Sequence, residues 1–117
     1  RGTGSVTPSA LLAQSDVPAP RSGHSAAIHV KHGQAGMIVF GGRLSKYQFC
    51  NDVFRYDLTT HRWVRLYCGG ETPAPRCDQS TVLYRDHLIV YGGYALQEGG
   101  KKRYFSDLHA LDLVSCT

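Results

Sequence analysis

None of the apolar runs in this 117-residue chain approaches the roughly 18 residues that a helix needs to cross a bilayer. The four cysteines, Cys50, Cys68, Cys77 and Cys116, include no Cys-x-x-Cys pair and are too scattered for a compact disulfide scaffold or a standard zinc site. Reduced thiols are therefore expected, as in an intracellular, cytoplasmic protein. Should one pair bond, Cys68 and Cys77 are the best candidates, because both lie in one connection.

Catalytic signatures are missing too. No nucleophile stands near a candidate base, and no carboxylates are spaced as a ligand set. Gly99-Gly100-Lys101-Lys102 has neither the spacing of a phosphate-binding loop nor a helical pattern after it. His24, His29 and His32 crowd into nine residues, but alternation along a strand sends His24 and His29 to opposite faces and leaves His32 in a turn. The residues present call for no metal, no cofactor and no enzymatic activity. The first residue is Arg1 and no apolar signal-peptide core precedes Val17, so no targeting segment is read and a native start is expected upstream.

What the chain does have is 13 glycines, 5 prolines and a formal charge of +4, a turn-rich composition with a modest basic excess. That excess points to acidic partners and falls short of a dedicated nucleic-acid binder. The sequence is organised around Met37-Ile38-Val39-Phe40-Gly41-Gly42, answered by His87-Leu88-Ile89-Val90-Tyr91-Gly92-Gly93. Each is a short apolar run of strand length stopped by two glycines, residues free to take positive φ and to let another backbone approach. The duplication extends outward. Pro18-Ala19-Pro20-Arg21 recurs 55 residues later as Pro73-Ala74-Pro75-Arg76, and Asp52 recurs at the same offset as Asp107.

Residues 1–16 read as a linker or degenerate edge strand, 17–72 as one repeat, and 73–117 as a second repeat lacking its last strand. Strands are expected over 25–30, 37–40, 51–57 and 63–67, and again over 80–84, 88–91 and 106–112. Gly41 and Gly92 are only 51 residues apart, so the second repeat should have a tighter turn between its first two strands and a longer loop before its third.

Together these residues resemble the kelch repeat, in its Pro-x-Pro-Arg variant. The first copy supplies Pro18-Ala19-Pro20-Arg21, Gly23-His24-Ser25, Gly41-Gly42, Asn51-Asp52-Val53, Tyr56-Asp57, Thr60 and Trp63; the second supplies Pro73-Ala74-Pro75-Arg76, Ser80, Gly92-Gly93, Ser106-Asp107-Leu108, Leu111 and Asp112. The second copy departs in having Cys77-Asp78-Gln79 for Ser22-Gly23-His24 and Leu111 for Tyr56. The resemblance implies an all-β fold of four-stranded antiparallel β-propeller blades, present as an incomplete propeller fragment of about two repeats, with further kelch blades in the full-length chain. It also implies structural roles for Arg21, Gly41, Gly42, Asp52, Tyr56, Trp63, Arg76, Gly92, Gly93 and Asp107. Phe54, Tyr56, Trp63 and Tyr91 are expected as wedges between blades, and Arg21, Arg76, Asp52 and Asp107 as ion pairs clamping one blade to the next.

In such a blade the connections between second and third strands emerge on one face of the propeller. The first carries Arg43, Lys46, Tyr47 and Phe49; the second carries Tyr94, Lys101, Lys102, Arg103 and Tyr104. Cations interleaved with aromatics on one rim form a seat for a protein partner with an acidic peptide segment. The expected function is a protein–protein interaction module, in a scaffold or as the substrate-recognition part of a ubiquitin-ligase adaptor. Two alternatives stand beside it. One is a kelch-type propeller enzyme with a metal site in blades outside this sequence, and the other is binding of anionic lipid or nucleic acid through the basic loop face.

Overall fold

The computed structural model describes residues 16–117, so the segment read as a linker lies outside the described residues except for Asp16. The strands are β1 (Ser25–Lys31), β2 (Gln34–Ser45), β3 (Gln48–Asp57), β4 (Arg62–Leu66), β5 (Ser80–Tyr84), β6 (His87–Tyr91), β7 (Tyr94–Leu96), β8 (Lys102–Tyr104) and β9 (Leu108–Asp112). β1 to β4 form a four-stranded antiparallel sheet in chain order. β5, β6 and β9 form a three-stranded antiparallel sheet, and β7 and β8 a small hairpin. The fold is all-β, and its sheets have the layout of kelch blades.

Alternation along each strand decides what is buried. Ile38, Phe40 and Val53 leave the first sheet on one side, Leu88 and Val90 leave the second, and the two rows meet as the core, flanked by Ala27, Leu66, Leu111 and Leu113. The aromatic residues expected as wedges between blades face away from this joint. Phe54, Tyr56 and Trp63 share the opposite face of the first sheet, with Tyr56 and Trp63 ring centres 5.0 Å apart, and Tyr91 is half-exposed on the outer face of the second. Parity is the reason: each is an odd number of residues from a neighbour that faces the core, so Phe40 and aliphatic side chains fill the joint.

The four-residue difference between repeats also falls where the sequence did not put it. Both first turns span two residues, His32-Gly33 and Arg85-Asp86, but the first hairpin forms seven strand pairs and the second five. Two residues added to each strand preserve side-chain parity, so a sheet takes up four residues without turning its core outward. The compensating residues lie beyond the glycine pairs. There β2 runs on through Gly41-Gly42 with a bulge and hairpins into β3, whereas the second repeat inserts β7 and β8.

Close approach explains the glycines. A Cβ on Gly93 would lie 2.6 Å from the Cys77 carbonyl oxygen, and one on Gly41 would lie 3.1 Å from that of Arg76. Both have positive φ, 90° and 70°, which any other residue would adopt under strain. The segments that crowd them are the proline arms. Ser22 exchanges two backbone hydrogen bonds with Arg43, and Cys77 does the same with Tyr94. Between blades, Gly42 N–H donates to the Arg76 carbonyl (2.9 Å), Arg76 N–H to that of Cys50 (3.0 Å) and Asp78 N–H to that of Gly23 (2.8 Å). Gln79 Nε2 donates to the Phe40 carbonyl, and His29 Nε2 donates to Asp86 Oδ1 across the same joint.

Two expectations are corrected. The arginine–carboxylate pairs do form, but each inside its own repeat: Arg21 with Asp52 and Arg76 with Asp107, both at 2.6 Å. The arm places arginine beside the third strand of its own sheet, so main chain rather than ion pair ties the blades together. Cys68 bonds Cys116, with Cα atoms 4.8 Å apart, while Cys77 is buried and free beside Tyr94. The pairing proposed from the sequence fails because the proline arm carries Cys77 into the sheet edge and away from Cys68.

Candidate protein-interaction site

β2 and β3 pair as far as Ser45 and Gln48, leaving Lys46-Tyr47 as a two-residue tip. β7 and β8 pair Tyr94 with Tyr104 and Leu96 with Lys102, with Glu98–Gly100 as a single 3-10 turn between them. Each hairpin supplies backbone partners for its own strands, so neither needs a large core to hold its shape. The connections expected to be loops are therefore hairpins. Positive φ at Gly99 and Gly100, 83° and 80°, makes the second reversal possible.

The two hairpins touch. Arg43 Nη1 donates to the Tyr94 hydroxyl at 3.3 Å, the Phe49 and Tyr94 rings meet edge to face at 6.1 Å, and Tyr94 and Tyr104 lie 6.2 Å apart. Cations sit over these rings: Arg43 over Phe49 at 5.3 Å, Lys46 over Tyr47 at 5.5 Å and Lys102 over Tyr94 at 4.7 Å. Arg103 lies over Phe105 at 4.9 Å, and Lys101 is exposed, its carbonyl accepting from Gln97 N–H. Arg43, Phe49, Tyr94, Lys102 and Tyr104 thus form one continuous cluster, with Tyr47 and Lys46 at its margin. Tyr47 is 52% exposed and Tyr104 72%, which leaves two aromatic faces open to a partner.

Underneath lies Cys77. Burial pushes its thiol pKa up, and its hydrogen bond with the Tyr94 hydroxyl raises that of the phenol in turn, so both stay neutral across the physiological range. All net charge on the rim therefore comes from its lysines, its arginines and Glu98. Arg43 also donates to the Ser45 and Lys46 carbonyls, which holds its guanidinium along the hairpin. Leu44 and Cys77 were not anticipated. Leu44 is 38% exposed on the hairpin, and period-two alternation continued past Gly42 would have found it.

The rim is built from two hairpins. A groove of about 320 Å³ lies instead in the joint between blades, lined by Phe40, Val53, Leu88, Val90 and His109 among others, and a cavity of about 260 Å³ lies beside His29, His32, Arg55 and Leu113. No rim residue lines either cavity. A small ligand needs a concavity that encloses it, whereas a protein partner can use two projecting hairpins. Lys31 ends β1, and His32 and His61 lie in turns, all at the other ends of the strands. Among the described residues no three His, Cys, Asp or Glu side chains converge as metal ligands.

Residues 4–117 match the KLHDC2/KLHL20/DRC7 Kelch-repeats domain. The chain belongs to the kelch-repeat family. Its relatives include acyl-CoA-binding domain-containing protein 5 of Arabidopsis thaliana, 32% identical over 82% of this chain and 14% of that protein. Acyl-CoA-binding domain-containing protein 4 of the same plant is 31% identical over 92% of this chain and 15% of that protein. Kelch domain-containing protein 3 of Homo sapiens is 28% identical over 86% of this chain and 25% of its own length. The chain thus spans a quarter or less of these relatives, and kelch-repeat domains are typically protein-binding modules.

Proposed function

We propose that this chain is a protein-interaction module without enzymatic activity, and that its partner presents an acidic segment to the rim formed by the two hairpins. One observation carries the reading: Arg43 and Phe49 of the first repeat meet Tyr94 of the second, over which Lys102 also lies, and the contacts join the two hairpins into one cationic and aromatic surface. Charges of one sign steer an oppositely charged partner, and open aromatic rings supply contact area at low entropic cost. The binding residues are Arg43, Lys46, Tyr47, Phe49, Tyr94, Lys101, Lys102, Arg103 and Tyr104. The relatives' greater length supports a longer chain with further blades, in which this module would serve as the recognition part of a scaffold or ubiquitin-ligase adaptor.

A cytoplasmic location belongs to the same reading. The Cys68–Cys116 bond argues against it, because disulfides persist mainly in oxidising compartments. Alkylating the protein in intact cells decides the point: a modifiable Cys68 supports the cytoplasm, and a protected one opposes it.

The binding reading is tested by surface plasmon resonance with immobilised Glu-rich, Lys-rich and neutral peptides. Selective capture of the Glu-rich probe, lost on reversing Lys101, Lys102 and Arg103, supports it. Equal capture of all three peptides, or capture indifferent to the reversal, contradicts it.

A further inference from the structure

Basic side chains gather around a cavity at the end of the blade joint where the β1–β2 and β3–β4 turns lie, away from the hairpin rim. The alternation that sends Ile38 and Val53 into the joint sends His29 and Lys31 of β1 and Arg55 and Asp57 of β3 to the same side. These four line a cavity of about 260 Å³, and Ile38, Leu66 and Leu113 give it apolar wall. Leu113 comes from the second repeat and the others from the first, so the cavity lies within the joint itself rather than on an outer face.

Arg55 is placed there by what its neighbour lacks. Its guanidinium lies across Gly36, where an added Cβ would come within 2.3 Å of Arg55 Cζ. Any other residue at 36 would have to displace the guanidinium. From this position Nη2 donates to the Gln34 carbonyl at 3.2 Å and Nη1 to His29 Nδ1 at 3.5 Å. His29 Nε2 donates in turn to Asp86, so the ring is held as its neutral tautomer and adds no charge to the cavity. These bonds use only part of the guanidinium's donor set.

No acid on the protein takes up the remaining charge. Among the described residues, no carboxylate lies within ion-pair distance of Lys31 or Arg55. Asp57 is engaged in its own turn, where Oδ1 accepts from Thr59 N–H and Thr60 N–H. The blade fold does not itself require this arrangement: in the second repeat Tyr84, His87 and Ala110 stand at the positions of His29, Gly36 and Arg55.

We propose that this cavity binds a small organic monocarboxylate, its carboxylate on Arg55 and Lys31 and its short apolar body against Ile38, Leu66 and Leu113. Charge selects the monoanion. Lys31 and Arg55 bring two positive charges to the lining and Asp57 one negative, which leaves one to be balanced, and a phosphate dianion would exceed it. The guanidinium fork matches the two oxygens of a carboxylate. The cavity is smaller than the roughly 300 Å³ at which sites for drug-sized ligands begin, which limits the body to about one ring. The site shares no residue with the hairpin rim, and neither reading depends on the other.

Two-dimensional NMR of the labelled chain tests the proposal with benzoate, its neutral isostere benzamide, and inorganic phosphate. Benzoate should shift the amides of residues 31–34, 55–57 and 113 saturably, with benzamide and phosphate each weaker by about tenfold or more. Arg55→Gln should weaken benzoate by about tenfold, and Arg55→Lys, which keeps the charge but not the fork, by less. Circular dichroism establishes that each variant is folded, and Lys31→Gln replaces Arg55→Gln in the same titration should the latter not fold. Equal binding of benzoate and benzamide, tighter binding of phosphate, or shifts centred on Arg43–Phe49 and Tyr94–Tyr104 would each overturn the proposal. So would the absence of a saturable response to benzoate, or an affinity that the charge-removing variant leaves unchanged.

Discussion

Arg76 and Asp107 meet as a fork, Nη1 to Oδ1 at 2.6 Å and Nη2 to Oδ2 at 2.9 Å, and the guanidinium also lies 4.0 Å from the centre of the Phe105 ring. Arg76 is fully buried, whereas Asp107 is about half open to water. Its main chain faces the other way, into the first sheet, so one residue fixes the third strand of its own blade and the joint to its neighbour. Arg76→Met should cost about 3 kcal/mol, the low end for breaking a buried pair, because the abandoned carboxylate can be hydrated. Chemical denaturation checks this, and a loss under about 0.5 kcal/mol would show that the pair contributes little.

The same pair sets a pH dependence. The Arg76 hydrogen bonds, with His109 beside them, hold the Asp107 carboxyl well below the usual carboxylate range. A lowered folded-state pKa adds stability above the unfolded value of about 3.9, and that stability is lost as pH falls through the folded value. The stability gap between the parent chain and Asp107→Asn should therefore be widest near neutrality and shrink as acid is added below about pH 4. Urea midpoints taken across pH give the answer; a gap that widens in acid would reverse the assignment.

Gly93 and Gly99 separate crowding from backbone strain. Both have positive φ, 90° and 83°, but a Cβ on Gly93 meets the Cys77 carbonyl while one on Gly99 meets nothing within 4 Å. Gly99→Ala should cost about 1 kcal/mol from the left-handed conformation alone. Gly93→Ala should cost clearly more, since the arm must also shift. Equal melting temperatures for the two variants would remove the arm from the account.

Charge and aromatic contact at the rim should separate kinetically. Reversing Lys101, Lys102 and Arg103 should slow association with a Glu-rich probe several-fold and flatten its salt dependence. Truncating Tyr104 or Tyr47 to Ala should chiefly speed dissociation, by about 1 to 3 kcal/mol where the ring is an anchor. Stopped-flow traces resolve the two rates, and identical effects from both kinds of change would count against a steered, anchored complex.

Much of this architecture was legible before the structure. Glycine pairs, proline arms and the Asp52 and Asp107 repeat gave the blades, because each is a local demand of backbone geometry. The turn over Asp57 to His61 is a local demand of the same kind: Asp57 Oδ1 accepts from Thr59 N–H and Thr60 N–H, and Asp112 repeats the arrangement with Val114 and Ser115. Strand lengths past the glycines, the partner of Cys68 and the burial of His29 depend on how two sheets meet, which a one-dimensional pattern does not carry. At the rim, the residue types were readable, but the contact of Arg43 with Tyr94 arises only when residues 51 positions apart are brought together by folding.

The central claim is that the two hairpins form one binding surface. Amide chemical-shift mapping by two-dimensional NMR, with a Glu-rich peptide titrated into the labelled chain, tests it most directly. The account predicts that shifts concentrate at Arg43–Phe49 and Tyr94–Tyr104, with both hairpins saturating at one peptide concentration. Shifts centred on Lys31, His32 and His61, or hairpins that respond with different affinities, would contradict it.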